Sequence, residues 1–148
     1  MKSEKDINEW LRIAKSDMIT AQHLNDTLYP KPLEIICYHC QQAAEKMLKA
    51  LIIANHGEVQ KTHDLGLLTD QLAEMMSIPN DVIFAADDLT EYGVKIRYPL
   101  DAMIEESHVS KALSDMRIVC DYSEKELMKM IAKTNDDKNE DANIQNIS

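Results

Sequence analysis

The chain has 148 residues, enough for one domain with its own core, and its three glycines, four prolines and 5% aromatic content exclude a turn-rich sandwich or barrel. A net charge of −10 argues against coating duplex DNA, which depends on cationic side chains that release counterions. The charged start, the absence of a membrane-length apolar run and the odd count of three cysteines lead us to expect a cytoplasmic protein with reduced thiols and no membrane partner.

Two long helices are predicted in the first third of the chain. Apolar residues recur at spacings of three and four from Ser3 to about Asp26, which is typical of one helical face. Pro30 and Pro32 make the next segment a loop. The second helix is predicted from Leu33 to Asn55. Because the loop is short, we expect the two helices to be antiparallel neighbours.

Three further helices are predicted, over Leu65 to Met76, Asp81 to Ile96 and Ser107 to Lys133. The composition then becomes rich in Asn and Asp, so we expect residues 1–132 to form the bundle and residues 133–148 a disordered acidic tail. The predicted fold class is all-α, an up-and-down antiparallel helical bundle of about five helices.

The cysteines and histidines do not match a known metal-binding pattern. Cys37 and Cys40 form a C-x-x-C pair, but a zinc site usually needs a second pair and only Cys120 remains. We interpret these cysteines as packing residues on a buried helix. Glu105 and His108 supply one Glu-x-x-His, whereas a di-iron bundle needs two. We therefore predict no metal and no other cofactor.

Lys61 and His63 lie in a polar break before the third predicted helix. The backbone N–H groups at such a helix start attract anions, so these two residues are candidates for binding one. An equally good interpretation is that Thr62 or Asp64 caps the helix and His63 merely packs.

Arg97 and Tyr98 lie in a second polar break, after the fourth predicted helix. An arginine can clamp a phosphate or carboxylate with two hydrogen bonds, and a tyrosine ring offers a stacking face. Taken alone, Arg97 is better explained as a helix C-terminal residue that pairs with an acid such as Asp101.

Lys46 is a further candidate on the second helix. Glu45 and Lys49 have the spacing of an i, i+4 pair, with the acid first. Lys46 is rotated from Glu45 by about 100° and could line a cleft instead.

Several blocks, in this order along the chain, resemble the HEPN domain family, named for higher eukaryotes and prokaryotes nucleotide-binding. The blocks are Gln41-Gln42-Ala43-Ala44-Glu45-Lys46-Met47-Leu48-Lys49-Ala50, Thr62-His63-Asp64-Leu65, Tyr92 and Arg97-Tyr98-Pro99. The resemblance covers about residues 4–132. It implies a helical bundle that is usually dimeric. Many members of the family pair with a minimal nucleotidyltransferase in toxin–antitoxin modules, and many others are metal-independent endoribonucleases.

The ribonuclease members carry an arginine, then four to six intervening residues, and then a histidine. The arginine that matches is Arg97, but the matching positions hold Ala102, Met103 and Ile104. The next histidine is His108, which is too distant for the motif. The resemblance is therefore to the branch marked by Arg-Tyr-Pro, for which binding of a nucleotide or a protein partner is the usual proposal.

We expect a non-catalytic, homodimeric binding module. Its ligand is a nucleotide or a nucleotidyltransferase partner, and its polar cleft is formed by Lys46, Lys61, His63, Arg97 and Tyr98. One alternative is a metal-independent endoribonuclease toxin, acting on RNA, in which His63 or His108 replaces the missing histidine. Another is a purely structural interaction protein. The methionine pairs Met75-Met76 and Met128-Met130 offer adaptable side chains for a dimer interface.

Overall fold

The computed structural model describes residues 4–93 and 104–145. Over these ranges the chain is helical and contains no strand. The elements are α1 (Glu4–Thr27), α2 (Leu33–Ala54), α3 (Leu65–Ala73), α4 (Asn80–Leu89), a 3₁₀ helix (Thr90–Gly93) and α5 (Glu106–Gln145). The predicted all-α bundle is confirmed.

The first two helices lie where apolar spacing predicts them. Helix α1 begins at Glu4, and Ser3 lies outside the described residues. Helix α2 ends one residue before the predicted Asn55, whose N–H donates to the carbonyls of the last turn. His56 follows with a φ of 64°, so the left-handed residue that closes the helix is a histidine.

The third and fourth helices are shorter than predicted. Helix α3 ends at Ala73, where the turn tightens: the N–H groups of Glu74 and Met75 donate to carbonyls three residues back, Gln71 at 3.3 Å and Leu72 at 2.9 Å. Helix α4 ends at Leu89 and tightens into the 3₁₀ helix. The predicted end at Ile96 lies outside the described residues.

The last helix is longer than predicted. We expect it to end at Lys133 and a disordered acidic tail to follow, but α5 continues to Gln145. Residues 132–144 are exposed, so burial does not hold this part of the helix. Neither glycine nor proline interrupts residues 134–145, and each added residue satisfies its own backbone hydrogen bond.

Helix α2 is the centre of the bundle, packed against α1, α3, α4, α5 and the 3₁₀ helix. Its buried positions extend around the whole helix rather than along one stripe. The core around it includes Ile36, Met47, Leu48, Leu51, Leu68, Leu89, Met116 and Leu127, all fully or almost fully buried. A helix surrounded in this way has no solvated face, so its polar side chains must find partners inside the protein.

None of the helices in the described residues has the length and apolarity needed to cross a bilayer.

Candidate functional site

Glu45 is the centre of a buried polar cluster on α2. Its carboxylate is 4% exposed, and each oxygen has a partner. Oε1 accepts hydrogen bonds from His63 Nδ1 at 2.8 Å and from Gln41 Nε2 at 3.2 Å, and Oε2 accepts one from Lys49 Nζ at 3.1 Å. The ammonium of Lys49 compensates the carboxylate, which makes a charged group tolerable at this depth.

Lys49 is itself held from a second side. Its side chain is 8% exposed, and its Nζ lies 5.7 Å from the ring centroid of Trp10 on α1. The face of an indole attracts a cation, so Trp10 adds a cation–π contact to the ion pair with Glu45. The predicted i, i+4 pair is confirmed, but it is an internal pair and not the solvated helix pair that the sequence suggested.

His63 projects from the cluster to solvent. Its side chain is 61% exposed although Nδ1 bonds the buried Glu45. A carboxylate can only accept, so we assign the hydrogen to Nδ1, which leaves Nε2 as the free edge of the imidazole. The interpretation that His63 merely packs is therefore wrong: a buried carboxylate orients it, and its outer edge is open to a ligand.

The start of α3 is capped by Asp64, one of the two alternatives that the sequence left open. The Asp64 carboxylate accepts hydrogen bonds from the N–H groups of Gly66 at 2.9 Å and Leu67 at 3.4 Å. The N–H of Leu65 donates to Thr90 Oγ1 at 3.1 Å. These donors are thus used within the protein, and an anion near His63 would have to be bound by side chains.

Gln41 connects the His63 loop to the 3₁₀ helix. Its Nε2 donates to the backbone carbonyl of His63 at 3.1 Å as well as to Glu45. Its Oε1 accepts from Gln42 Nε2 at 2.7 Å. Gly93 lies against the same amide, so closely that a Cβ on Gly93 would stand 2.8 Å from Gln41 Nε2. The loop before α3 and the end of the 3₁₀ helix therefore approach the same buried side chain.

Lys46 lies outside this cluster. Its Nζ donates to Asp17 Oδ2 on α1 at 2.7 Å, and the other Asp17 oxygen lies 2.9 Å from Nδ1 of His39. Lys46 therefore joins α1 to α2 and shares no hydrogen bond with His63. Asp17, Lys46 and His39 thus form a second polar cluster, between α1 and α2. It contains the same residue types as the cluster around Glu45, namely one carboxylate, one lysine and one histidine.

Of the remaining predicted site residues, the structure describes only Lys61. Lys61 is exposed, two residues before His63 on the same loop. Arg97 and Tyr98 lie outside the described residues, which resume at Ile104. Their roles stay predictions from the sequence.

His108, the other histidine considered for acid–base chemistry, lies in a cleft of about 310 Å³ between α4 and α5. Its Nδ1 accepts the backbone N–H of Glu105 at 2.9 Å, so it caps the start of α5. Lys111 in the same cleft bridges Asp88 and Asp115. Burial raises the pKa of Asp115, and Lys111 opposes that shift.

The three cysteines are buried, as the packing interpretation expects. Burial raises the pKa of the Cys40 thiol to about 12 and that of Cys120 well above its usual value. Such thiols stay protonated at neutral pH and are poor nucleophiles and ligands. Within residues 4–93 and 104–145, no three His, Cys, Asp or Glu side chains converge in a way that could hold a metal ion.

The sequence alone indicates a role for His63, but it indicates none for Gln41 and only a surface pair for Glu45. A signal for both is present in α2, where apolar residues occur on every side of the helix. A helix of that kind is buried, so each polar residue within it must be paired.

Comparison with known proteins agrees with this architecture. The profile of the HEPN domain matches residues 7–127. The fold resembles the crystal structure of TT1696 from Thermus thermophilus, with a TM-score of 0.68, 25% sequence identity, and coverage of 80% of this chain and 96% of that one. It also resembles ST0689, an archaeal HEPN homologue, with a TM-score of 0.64, 18% identity, and coverage of 81% of this chain and 96% of that one. Among proteins with curated descriptions, none matches. The match over residues 7–127 shows that this chain belongs to the HEPN domain family.

Proposed function

We propose that this chain is a non-catalytic HEPN-type binding module that takes a nucleotide, or docks a minimal nucleotidyltransferase, in a toxin–antitoxin-like system. One observation carries the proposal: a buried, charge-compensated carboxylate, Glu45, holds the imidazole of His63 by Nδ1 and leaves the outer edge of the ring exposed. A surface histidine with no binding role would not require a buried ion pair to orient it.

The ligand contacts in this proposal come from side chains around the His63 loop. The outer edge of His63, Nε2, accepts a hydrogen bond from a ribose hydroxyl, and the exposed Lys61 attracts a phosphate by its positive charge. We include Arg97 on the basis of the sequence: its guanidinium clamps a phosphate with two hydrogen bonds, and the neighbouring Tyr98 offers a ring for stacking. Lys46 is omitted because its ammonium is used by Asp17.

The proposal includes a homodimer and a cytoplasmic location. Two-fold dimers are the commonest soluble oligomers, and adaptable methionines are exposed on α5 and just after α3. Three buried cysteines are compatible with a reducing compartment.

Calorimetric titration of the full chain with AMP, ADP and ATP tests nucleotide binding. We expect His63→Ala to weaken binding about tenfold, because the hydrogen bond that a ligand hydroxyl donates to Nε2 is lost. His23→Ala removes an exposed histidine of α1 and should leave affinity unchanged. If the wild-type chain binds none of the three nucleotides at millimolar concentration, the nucleotide part of the proposal is wrong.

Docking of a nucleotidyltransferase is tested separately, with a purified minimal nucleotidyltransferase. We expect the two purified proteins to co-elute in size-exclusion chromatography, and Lys61→Glu to weaken the complex. Lys125→Glu, at an exposed position on α5, is the matched control. Separate elution of the two proteins would contradict the proposed docking.

The endoribonuclease alternative also has a specific observation in its favour. A histidine oriented by a carboxylate through Nδ1 has the geometry of a general base that works through Nε2. The test is incubation with a labelled RNA in the presence of a metal chelator. Products ending in 2′,3′-cyclic phosphate that disappear in His63→Ala would establish cleavage, and intact RNA at high protein concentration would exclude it.

A further inference from the structure

Gln41 lies between two chain segments that are far apart in sequence. Its Nε2 donates to the carbonyl of His63, at 3.1 Å, in the loop before α3. Gly93, the last residue of the 3₁₀ helix, lies against the same amide. A Cβ on Gly93 would stand 2.8 Å from Nε2 and 2.9 Å from Cδ of Gln41. Contacts this short leave no room for a side chain at position 93.

The end of a glutamine side chain normally swings away from such a contact at little cost, but this amide cannot. Both hydrogens of Nε2 are used, by Glu45 Oε1 and by the His63 carbonyl. Oε1 is used by Gln42 Nε2 at 2.7 Å, and the residue is fully buried. Any displacement of the amide therefore breaks hydrogen bonds to buried or partly buried groups.

We infer that Gln41 is a positioning residue that couples the 3₁₀ helix to the His63 loop. A shift of Gly93 toward α2 pushes the amide, the amide withdraws from the His63 carbonyl, and the imidazole loses its fixed position over Glu45. Withdrawal of Gly93 leaves the amide in place and the imidazole oriented. The consequence for ligand affinity rests on the proposed function, whereas the coupling is a property of the unliganded protein.

The test is a double-mutant cycle at Gly93 and Gln41, read by NMR on the His63 imidazole of the full, unliganded chain. Gly93→Ala should move the His63 ring resonances, because the added methyl group displaces the amide. Gln41→Ala should also move them. In the double variant the methyl group has space, so Gly93→Ala should cause little further change. Gln22→Ala removes a half-buried glutamine of α1 that bonds Asp26 and Arg117 and none of these groups; it is the control and should leave the His63 resonances in place.

Affinity for AMP is the second readout. We expect Gly93→Ala to weaken AMP binding about fivefold or more, with little further loss when it is added to Gln41→Ala. A wild-type chain that binds none of AMP, ADP and ATP contradicts the nucleotide part of the proposed function but not the coupling, which the NMR cycle decides. Unmoved His63 resonances in Gly93→Ala, or additive changes in the double variant, would overturn the coupling itself.

Gln41→Asn provides a second route if Gly93→Ala does not fold. The shorter side chain withdraws the amide from both the His63 carbonyl and Gly93. We expect it to move the His63 resonances on its own and to restore folding to Gly93→Ala. If Gln41→Asn neither moves these resonances nor restores folding, the amide does not link the two segments.

Discussion

Lys49 and Glu45 form an ion pair that is almost entirely inside the protein, with exposed fractions of 8% and 4%. Lys129 and Glu126 on α5 form a pair of the same charges, but the lysine is 61% exposed. The two pairs have similar N···O distances, 3.1 and 3.2 Å, so burial is the main difference between them. The free energies of breaking them should differ accordingly.

We predict that Lys49→Met destabilises the protein by about 3–5 kcal/mol, because it leaves the Glu45 carboxylate buried without its cation. Lys129→Met should cost at most about 1 kcal/mol. Chemical denaturation of both variants measures the difference. Equal losses would mean that Glu45 is solvated in the native protein.

The cap of α3 supplies the second prediction. Asp64→Ala should cost about 1 kcal/mol, because the N–H groups of Gly66 and Leu67 lose their acceptor. Thr62→Ala should cost less, since Thr62 Oγ1 accepts only the N–H of Asp64, in an exposed turn. Thermal unfolding of the two variants in the same buffer measures both losses of stability. A larger loss for Thr62→Ala would show that Asp64 is not the main cap of α3.

The buried Cys40 thiol makes the free energy of unfolding depend on pH in the alkaline range. Burial raises its pKa from 9.0 to about 12, so between these values the folded chain holds a proton that the unfolded chain has lost. The contribution of Cys40 to the free energy of unfolding is therefore fully present below pH 9. It is lost as the pH rises toward 12, by up to about 1.4 kcal/mol per pH unit. Denaturation of the wild type and of Cys40→Ala across this range measures the effect, which should be smaller in the variant.

The dimer is predicted to involve the methionines near the C-terminal end of α2. Met76 and Met130 lie against the core with their sulfurs near Asn55 Nδ2, whereas Met75 and Met128 are 36% and 44% exposed. We expect light scattering to show a dimer at micromolar concentration and Met128→Glu to shift it toward monomer. Ile19→Glu changes a still more exposed apolar residue on α1, 69% against 44%, and should leave the dimer intact; a monomeric wild type would contradict this prediction.

The extension of α5 beyond Lys133 gives a prediction that separates helix content from stability. Residues 134–144 are exposed, so truncation after Lys133 removes helix without removing core. We expect circular dichroism at 222 nm to decrease while the denaturation midpoint changes little. A large loss of stability would show that the extension packs on the bundle.

The sequence predicts the helices of this fold well because each has a periodic apolar stripe, as in α1, or apolar residues throughout, as in α2. It is less accurate where backbone hydrogen bonds alone decide the outcome. The early end of α3 follows from two N–H groups, of Glu74 and Met75, that bond carbonyls three residues back, and the late end of α5 follows from the lack of a helix breaker. Neither event leaves an apolar pattern to detect.

The candidate site shows a different limit. His63 is identifiable from its position in a polar break, but its partner Glu45 lies eighteen residues earlier, where its spacing from Lys49 indicates only a surface ion pair. The contact between Gln41 and Gly93 spans a still longer stretch of sequence. Spacing rules describe neighbours on one helix, and these contacts form only when α3 and the 3₁₀ helix pack onto α2.

The position of Trp10 has a practical consequence. It is the single tryptophan of the chain, and its ring faces the ammonium of Lys49, which pairs with the carboxylate that holds His63. Indole fluorescence responds to nearby charge, so the emission of the unlabelled protein is sensitive to any rearrangement around Glu45. The molecule thus contains its own optical reporter, connected through three successive contacts to the imidazole that we propose meets the ligand.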